Sequence, residues 1–174
     1  MDKALEKKIC EEIRKKLALS LKQFDFKRTK PTFYTRLKKD RIEFLHLHKF
    51  SFDTSFRVHV GVRFLCDSFE AVALNGIDSD FFRPEYNFVF GQDEESVYRC
   101  VSEMLRFIQS KGFKWFEDWS NHATLLNAEN SPINRFTNEF ILFTNGEIDE
   151  QLVSNSYKIL GIKETRSDDL GLLR

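Results

Sequence analysis

A chain of 174 residues, 41% hydrophobic and 31% charged, has the material for one buried core and too little for two ordinary domains. Its 27 basic and 27 acidic side chains cancel, which removes any global field for drawing in a polyanion and disfavours nucleic acid as a partner. No apolar run approaches the roughly 20 residues of a membrane-spanning helix, and Cys10, Cys66 and Cys100 form no CxxC pair, so the expectation is a reduced cytoplasmic protein without a signal segment or a membrane contact.

The first helix is expected over 3–23, where Leu5, Ile9, Ile13, Leu17 and Leu21 recur at every fourth position among Lys and Glu. Each of these side chains contributes about 1.5–3 kcal/mol when fully buried, so the stripe needs the apolar face of a sheet to lie on. A basic loop then leads to Pro31. Aromatic and threonine content predicts a strand over 32–38 (TFYTRLK), a turn at Lys39 and Asp40, and a returning strand over 41–49 (RIEFLHLHK). That turn lacks an Asn-Gly or Asp-Gly pair, so the register between the two strands stays open.

The sharpest pattern lies in 55–65 (SFRVHVGVRFL), where Phe56, Val58, Val60, Val62 and Phe64 alternate with Arg57, His59, Gly61 and Arg63. One face of this strand is expected to be buried and the other to carry charge. A tight connection through 50–54 pairs residues whose numbers total about 105, because only an odd total sets Leu45 and Leu47 beside Val58 and Val60. The same register brings His46 opposite His59 and His48 opposite Arg57.

Residues 66–85 carry the weakest pattern, and a short element around 69–74 is expected because a structureless loop of that length is unusual. YNFVF at 86–90 reads as a fourth strand. Residues 91–93 cap a second helix over 94–111, with Asp93, Glu94 and Glu95 at the positive end of its dipole, a stripe of Val97, Val101, Met104, Leu105 and Ile108, and Gly112 in the left-handed position past its end. A short helix or turn follows in 113–127. Ser131 and Pro132 open a helix to residue 144, carrying Phe136, Phe140 and Phe143, and a last helix over 147–160 ends at Gly161. The order predicts one α+β domain over 1–162, an antiparallel sheet of about four strands behind an amphipathic helix and followed by a run of helices, with a tail at 163–174.

One constellation invites a chemical reading: His46, His48 and His59, with Arg57 and Arg63 on the same predicted face. Alternate positions on one strand and an opposed position on the next bring three imidazoles together, as a zinc or non-haem iron site requires. No carboxylate in the pattern completes such a set, so no cofactor is expected and a divalent metal on His46, His48 and His59 is the alternative. The same residues read as a small-anion site, with Arg57, Arg63 and protonated imidazoles as donors, or as a half-buried polar sheet face. Asp78 and Asp80 in NGIDSD match a fragment of a calcium loop without its remaining ligands, and read as a solvated turn. No GxSxG, GxGxxG or GxxxxGK[ST] pattern occurs. Phe113, Trp115, Phe116 and Trp119 are spaced either to join the core or to line a groove for a partner.

Taken in order, the helix ending in FDFKR, the strands TFYTR, IEFLHLHK and FRVHVGVRF, and the later GFKWFEDWS resemble the bacterial family of domains of unknown function numbered 4304. The resemblance spans about residues 5–125 as an ordered series of short segments. It implies a fold and a bacterial origin but no catalytic residues, since the family has no assigned activity. Where that family tends to carry amides, this chain has His46 and His48, which weighs against a shared metal role. The expected function is a non-enzymatic binding module for a protein partner or a small anionic ligand, by analogy with immunity proteins that neutralise toxins. The rival is a metal-dependent enzyme or metal-binding protein; a homodimer stays open.

Overall fold

In the structure, a computed structural model that describes residues 1–163, the first helix, α1 (Lys3–Leu21), begins where the Asp2 carboxylate accepts the amide protons of Ala4 and Leu5. It buries Ile9, Ile13, Leu17 and Leu21 along one side, while Leu5, one turn earlier in the same stripe, stays exposed. The expected tail falls outside the described residues except for Lys163.

Five antiparallel strands follow in sequential order: β1 (Lys27–Lys30), β2 (Phe33–Leu37), β3 (Arg41–Lys49), β4 (Ser55–Phe64) and β5 (Phe88–Val89). The fold is α+β, with one strand more than the pattern predicted. β1 lies in what reads as a basic loop; KRTK shows no apolar alternation because it is a sheet edge, held by backbone pairing and by Arg28, which donates to both oxygens of Glu11 on α1. The β3–β4 register is the expected one, with Leu45 opposite Val60 and Leu47 opposite Val58.

The second long helix, α2 (Glu94–Phe107), starts at the Asp93 cap and lays Val97, Val101, Met104 and Phe107 beside α1 and the Leu45, Leu47, Val58 and Val60 face of the sheet, making one core. It does not end at Gly112. A wider π turn over Ile108–Gly112 carries it into α3 (Phe113–Asp118), so Gly112 keeps right-handed helical backbone at φ −64°. The remaining helices are α4 (His122–Asn127), α5 (Thr137–Thr144) and α6 (Glu150–Leu160). The helix expected from Pro132 begins only at Thr137, because Phe136 at φ −145° breaks the helical path and residues 131–136 form turns instead. Gly161 does end α6 at φ +70°.

These helices build a second core against the sheet, in which Ile42, Phe44 and Phe64 meet Phe136, Phe140 and Leu160. The sheet face expected to be charged is therefore apolar over half its length, since β3 supplies Ile42 and Phe44 on the side that His46 and His48 also share. No helix or strand forms at 69–74; the regular piece in that region is a single turn of 3₁₀ helix at Ser79–Phe82, opened by the Asp78 side chain. Residues 75–79 seal the edge of β4 that the two-residue β5 leaves open: Val58, Val60 and Val62 donate their amides to Ser79 Oγ, the Ile77 carbonyl and Asn75 Oδ1.

Among the described residues no helix is long and apolar enough to cross a membrane. Cys10, Cys66 and Cys100 are free, buried thiols; burial raises all three pKa values, those of Cys66 and Cys100 to about 12.

Candidate functional site

Down the polar face of the β3–β4 pair, cross-strand partners run Ile42 with Arg63, Phe44 with Gly61, His46 with His59 and His48 with Arg57. All five sequence-predicted residues thus share a face, yet they do not form one site. Gly61 carries no side chain because the Phe44 ring lies over it, where a Cβ would sit 2.4 Å from Phe44 Cζ. That ring divides the face into two ends.

At the lower end Arg63 is 3% exposed and fully engaged. Its Nε donates to Ser156 Oγ on α6 at 2.8 Å, one terminal nitrogen to the Ala71 carbonyl at 3.1 Å and the other to the Asp67 carbonyl at 2.8 Å. The Asp67 carboxylate lies 3.8 Å away as a counter-charge. Arg63 is a structural clamp between β4, the segment after it and α6, with all three of its nitrogens engaged away from the histidines.

The upper end is built differently. The His46 ring stacks on Phe33 at 4.4 Å and on His59 at 5.7 Å, and burial, helped by the neighbouring His59, His48 and Arg57, lowers its pKa to about 4. His46 is half-buried and His59 fully buried, and burial lowers the His59 pKa against the pull of Asp78, whose carboxylate lies 3.3 Å from Nδ1. A carboxylate on Nδ1 favours the proton there and leaves Nε2 an acceptor. Arg57 reaches Asp78 at 3.5 Å and Asp80 at 3.7 Å. Three nitrogens of this cluster, His46 Nδ1, His59 Nε2 and Arg57 Nε, are buried without a hydrogen-bond partner.

Asp78 and Asp80 are thus not a solvated turn; they are the carboxylates that the histidine pattern lacked, delivered by the segment that pairs Asp78 with His59 in an isolated bridge. The set is still no metal centre. The three imidazoles stack and tilt instead of converging, and among the described residues no three His, Cys, Asp or Glu side chains are placed to hold a metal ion. As an anion site it is also poor at neutral pH, because the lowered pKa values leave His46 and His59 uncharged and Arg57 is already paired.

What surrounds this end is aromatic. Phe50 packs against His48 at 5.5 Å and Phe52 at 5.2 Å, and the guanidinium groups of Arg57 and Arg83 lie 5.4 and 5.5 Å from its ring centre. Phe52 is 79% exposed and Phe81, next in the chain to Asp80, is 84% exposed, the highest values among the large apolar side chains described. Sequence reading missed this patch because its residues come from a connection and a turn, where no periodicity marks them.

The other predicted surface is core. Phe116 is buried, Phe113, Trp115 and Trp119 are half-buried, and the first three pack against the α1–α2 core. Phe113 and Phe116 surround the Arg36 guanidinium together with Phe26, which explains their helical spacing without a partner. One further pair escaped the sequence reading: His122 Nε2 lies 3.1 Å from the buried Asp40 carboxylate, which also holds Arg41 at 3.2 Å. The two residues stand 82 positions apart, beyond the reach of any local motif.

No protein-family model matches the chain, and neither a curated protein nor a solved structure matches it.

Proposed function

We propose that this protein is a non-enzymatic binding module that docks a protein partner at the upper end of its β3–β4 pair, through Phe50, Phe52, Phe81, Arg57 and Arg83. The observation that carries this reading is the exposure of Phe52, packed on the Phe50 ring over which two guanidinium groups lie, and of Phe81, which follows Asp80 in the turn that reaches Arg57. Aromatic and arginine side chains dominate the energetics of protein interfaces, the aromatics because they bury large area while losing few rotamers and arginine because its planar guanidinium both stacks and donates hydrogen bonds. Placing two phenylalanines in water stabilises nothing in the isolated chain, whereas a partner that covered them would gain about 1.5–3 kcal/mol from each. The resemblance to the bacterial domain family is compatible with such a role and adds no activity to it.

The test is affinity capture from lysate of the source cells, with the wild-type chain beside a Phe52→Ser, Phe81→Ser double variant, read by native mass spectrometry. A second protein chain retained by the wild type and lost from the variant, at unchanged thermal stability, is the expected result. Retention of that chain by both forms, or of none by either, overturns the assignment of this surface.

A further inference from the structure

A second place in the molecule has the build of a small-molecule site, and it lies at the closed lower end, away from the proposed docking surface. Between residues 67–70 and α6 is a hollow of about 410 Å³, within the range that small ligands occupy. Arg63 and Asp67 line it, already bound to one another and to the chain. Phe69, Leu152 and Ile159 give it apolar walls. The Phe69 ring is 44% exposed, with the Arg135 guanidinium 5.3 Å from its centre.

Charge of opposite sign lines this hollow from the two elements that form it. Lys158 stands on α6 and Glu70 on the facing segment; both are exposed, and neither makes an ion pair among the described residues. Asn155, also lining it, spends its carbonyl on Gln151, so its amide hydrogens remain donors. A simple anion would meet Glu70, a simple cation would meet Lys158, and a purely apolar molecule would strip water from both without return. A molecule with a carboxylate, an ammonium group and a compact apolar body satisfies all three features.

We propose that this hollow binds a small zwitterion with an apolar side chain, the chemistry of a free apolar α-amino acid. Its carboxylate pairs with Lys158 and Asn155, its ammonium group with Glu70, and its side chain lies against Phe69, Leu152 and Ile159.

The probe is L-leucine, titrated into the full-length chain and followed by backbone amide NMR. Shifts confined to residues 67–70 and 152–159, saturating at millimolar concentration, are expected. N-acetyl-leucine and leucinamide each lack one charge and should bind at least about fivefold more weakly, and Lys158→Glu should weaken L-leucine about tenfold. Lys158 and Glu70 are exposed, so Lys158→Glu and Glu70→Gln leave folding intact and a loss of binding reports the site. Absence of shifts up to about 10 mM, shifts elsewhere in the chain, or equal binding by the two singly charged analogues overturns the proposal.

Discussion

Arg57 and Arg63 stand on one face of one strand, and the structure treats them in opposite ways. Arg63 meets a hydroxyl, two backbone carbonyls and a carboxylate, brought by α6 and the segment after β4. Arg57 meets two carboxylates at longer range and a phenyl ring, and its Nε has no partner. The difference is one of cover. A helix packed on the lower end answers all three nitrogens of Arg63 and leaves Arg41 Nε alone without a hydrogen bond, whereas a hairpin connection and a 3₁₀ turn leave the upper end with three unanswered nitrogens and two rings in water. Buried groups without partners and exposed apolar rings both cost stability in the isolated chain, and they coincide at one end of the sheet.

The sharpest way to break this comparison is to remove the clamp. Arg63→Met fills similar volume but leaves Asp67 without its counter-charge and three acceptors without their donor, so the expected loss is about 3–5 kcal/mol. In a chain of this size that lowers the thermal midpoint by about 10 °C or more, measured by calorimetry or urea denaturation. A loss under about 1 kcal/mol would mean that the lower end is no better answered than the upper.

Next in size is the boundary between the ends. Gly61→Ala pushes a methyl group into the Phe44 ring, which is fully buried and cannot swing aside. The expected cost is about 1–3 kcal/mol, with the amide resonances of both strands disturbed at this row of the sheet. A neutral outcome would place the division of the face elsewhere.

How much of this was legible in the sequence follows from the range of the forces involved. The β4 alternation and the β3–β4 register could be read, because period-two burial leaves only one parity that puts Leu45 and Leu47 with Val58 and Val60. The α1 stripe and the Asp93 cap could be read for the same local reason. β1 could not, since an edge strand held by backbone pairing and an Arg–Glu fork carries no hydrophobic period. The passage of α2 through Gly112 could not either, because glycine only permits a left-handed stop and Phe113 and Phe116 had core to reach. The candidate site was half legible. His46, His48, His59 and Arg57 were named as a group, but the carboxylates that orient them, the rings around Phe50, and the α6 hydroxyl that removes Arg63 from the set are placed by tertiary contacts alone.

The smallest effect is the one that tests the upper end on its own terms. His46 has a pKa of about 4 in the folded chain against an ordinary 6.5, so below the ordinary value the unfolded chain binds the proton that the folded chain refuses. Its contribution is therefore complete above pH 6.5 and is lost as pH falls from 6.5 toward 4, and the lowered pKa of His59 acts with the same sign. Allowing for partial exposure of the ring, the loss due to His46 is on the order of 2 kcal/mol. In the window from about pH 6.5 to 5.5 most carboxylates remain ionised, so the histidines dominate the slope there and a variant of His46 alone separates its share from that of His59. His46→Phe keeps a planar ring between Phe33 and His59, removes the unpartnered Nδ1 and cannot take up a proton. Its stability at pH 7 should stay within about 1 kcal/mol of the wild type, and its urea midpoint should fall less steeply through that window. If the slope were unchanged, His46 would be protonated alike in both states, and the upper end would have to be as open to water as the lower end is closed.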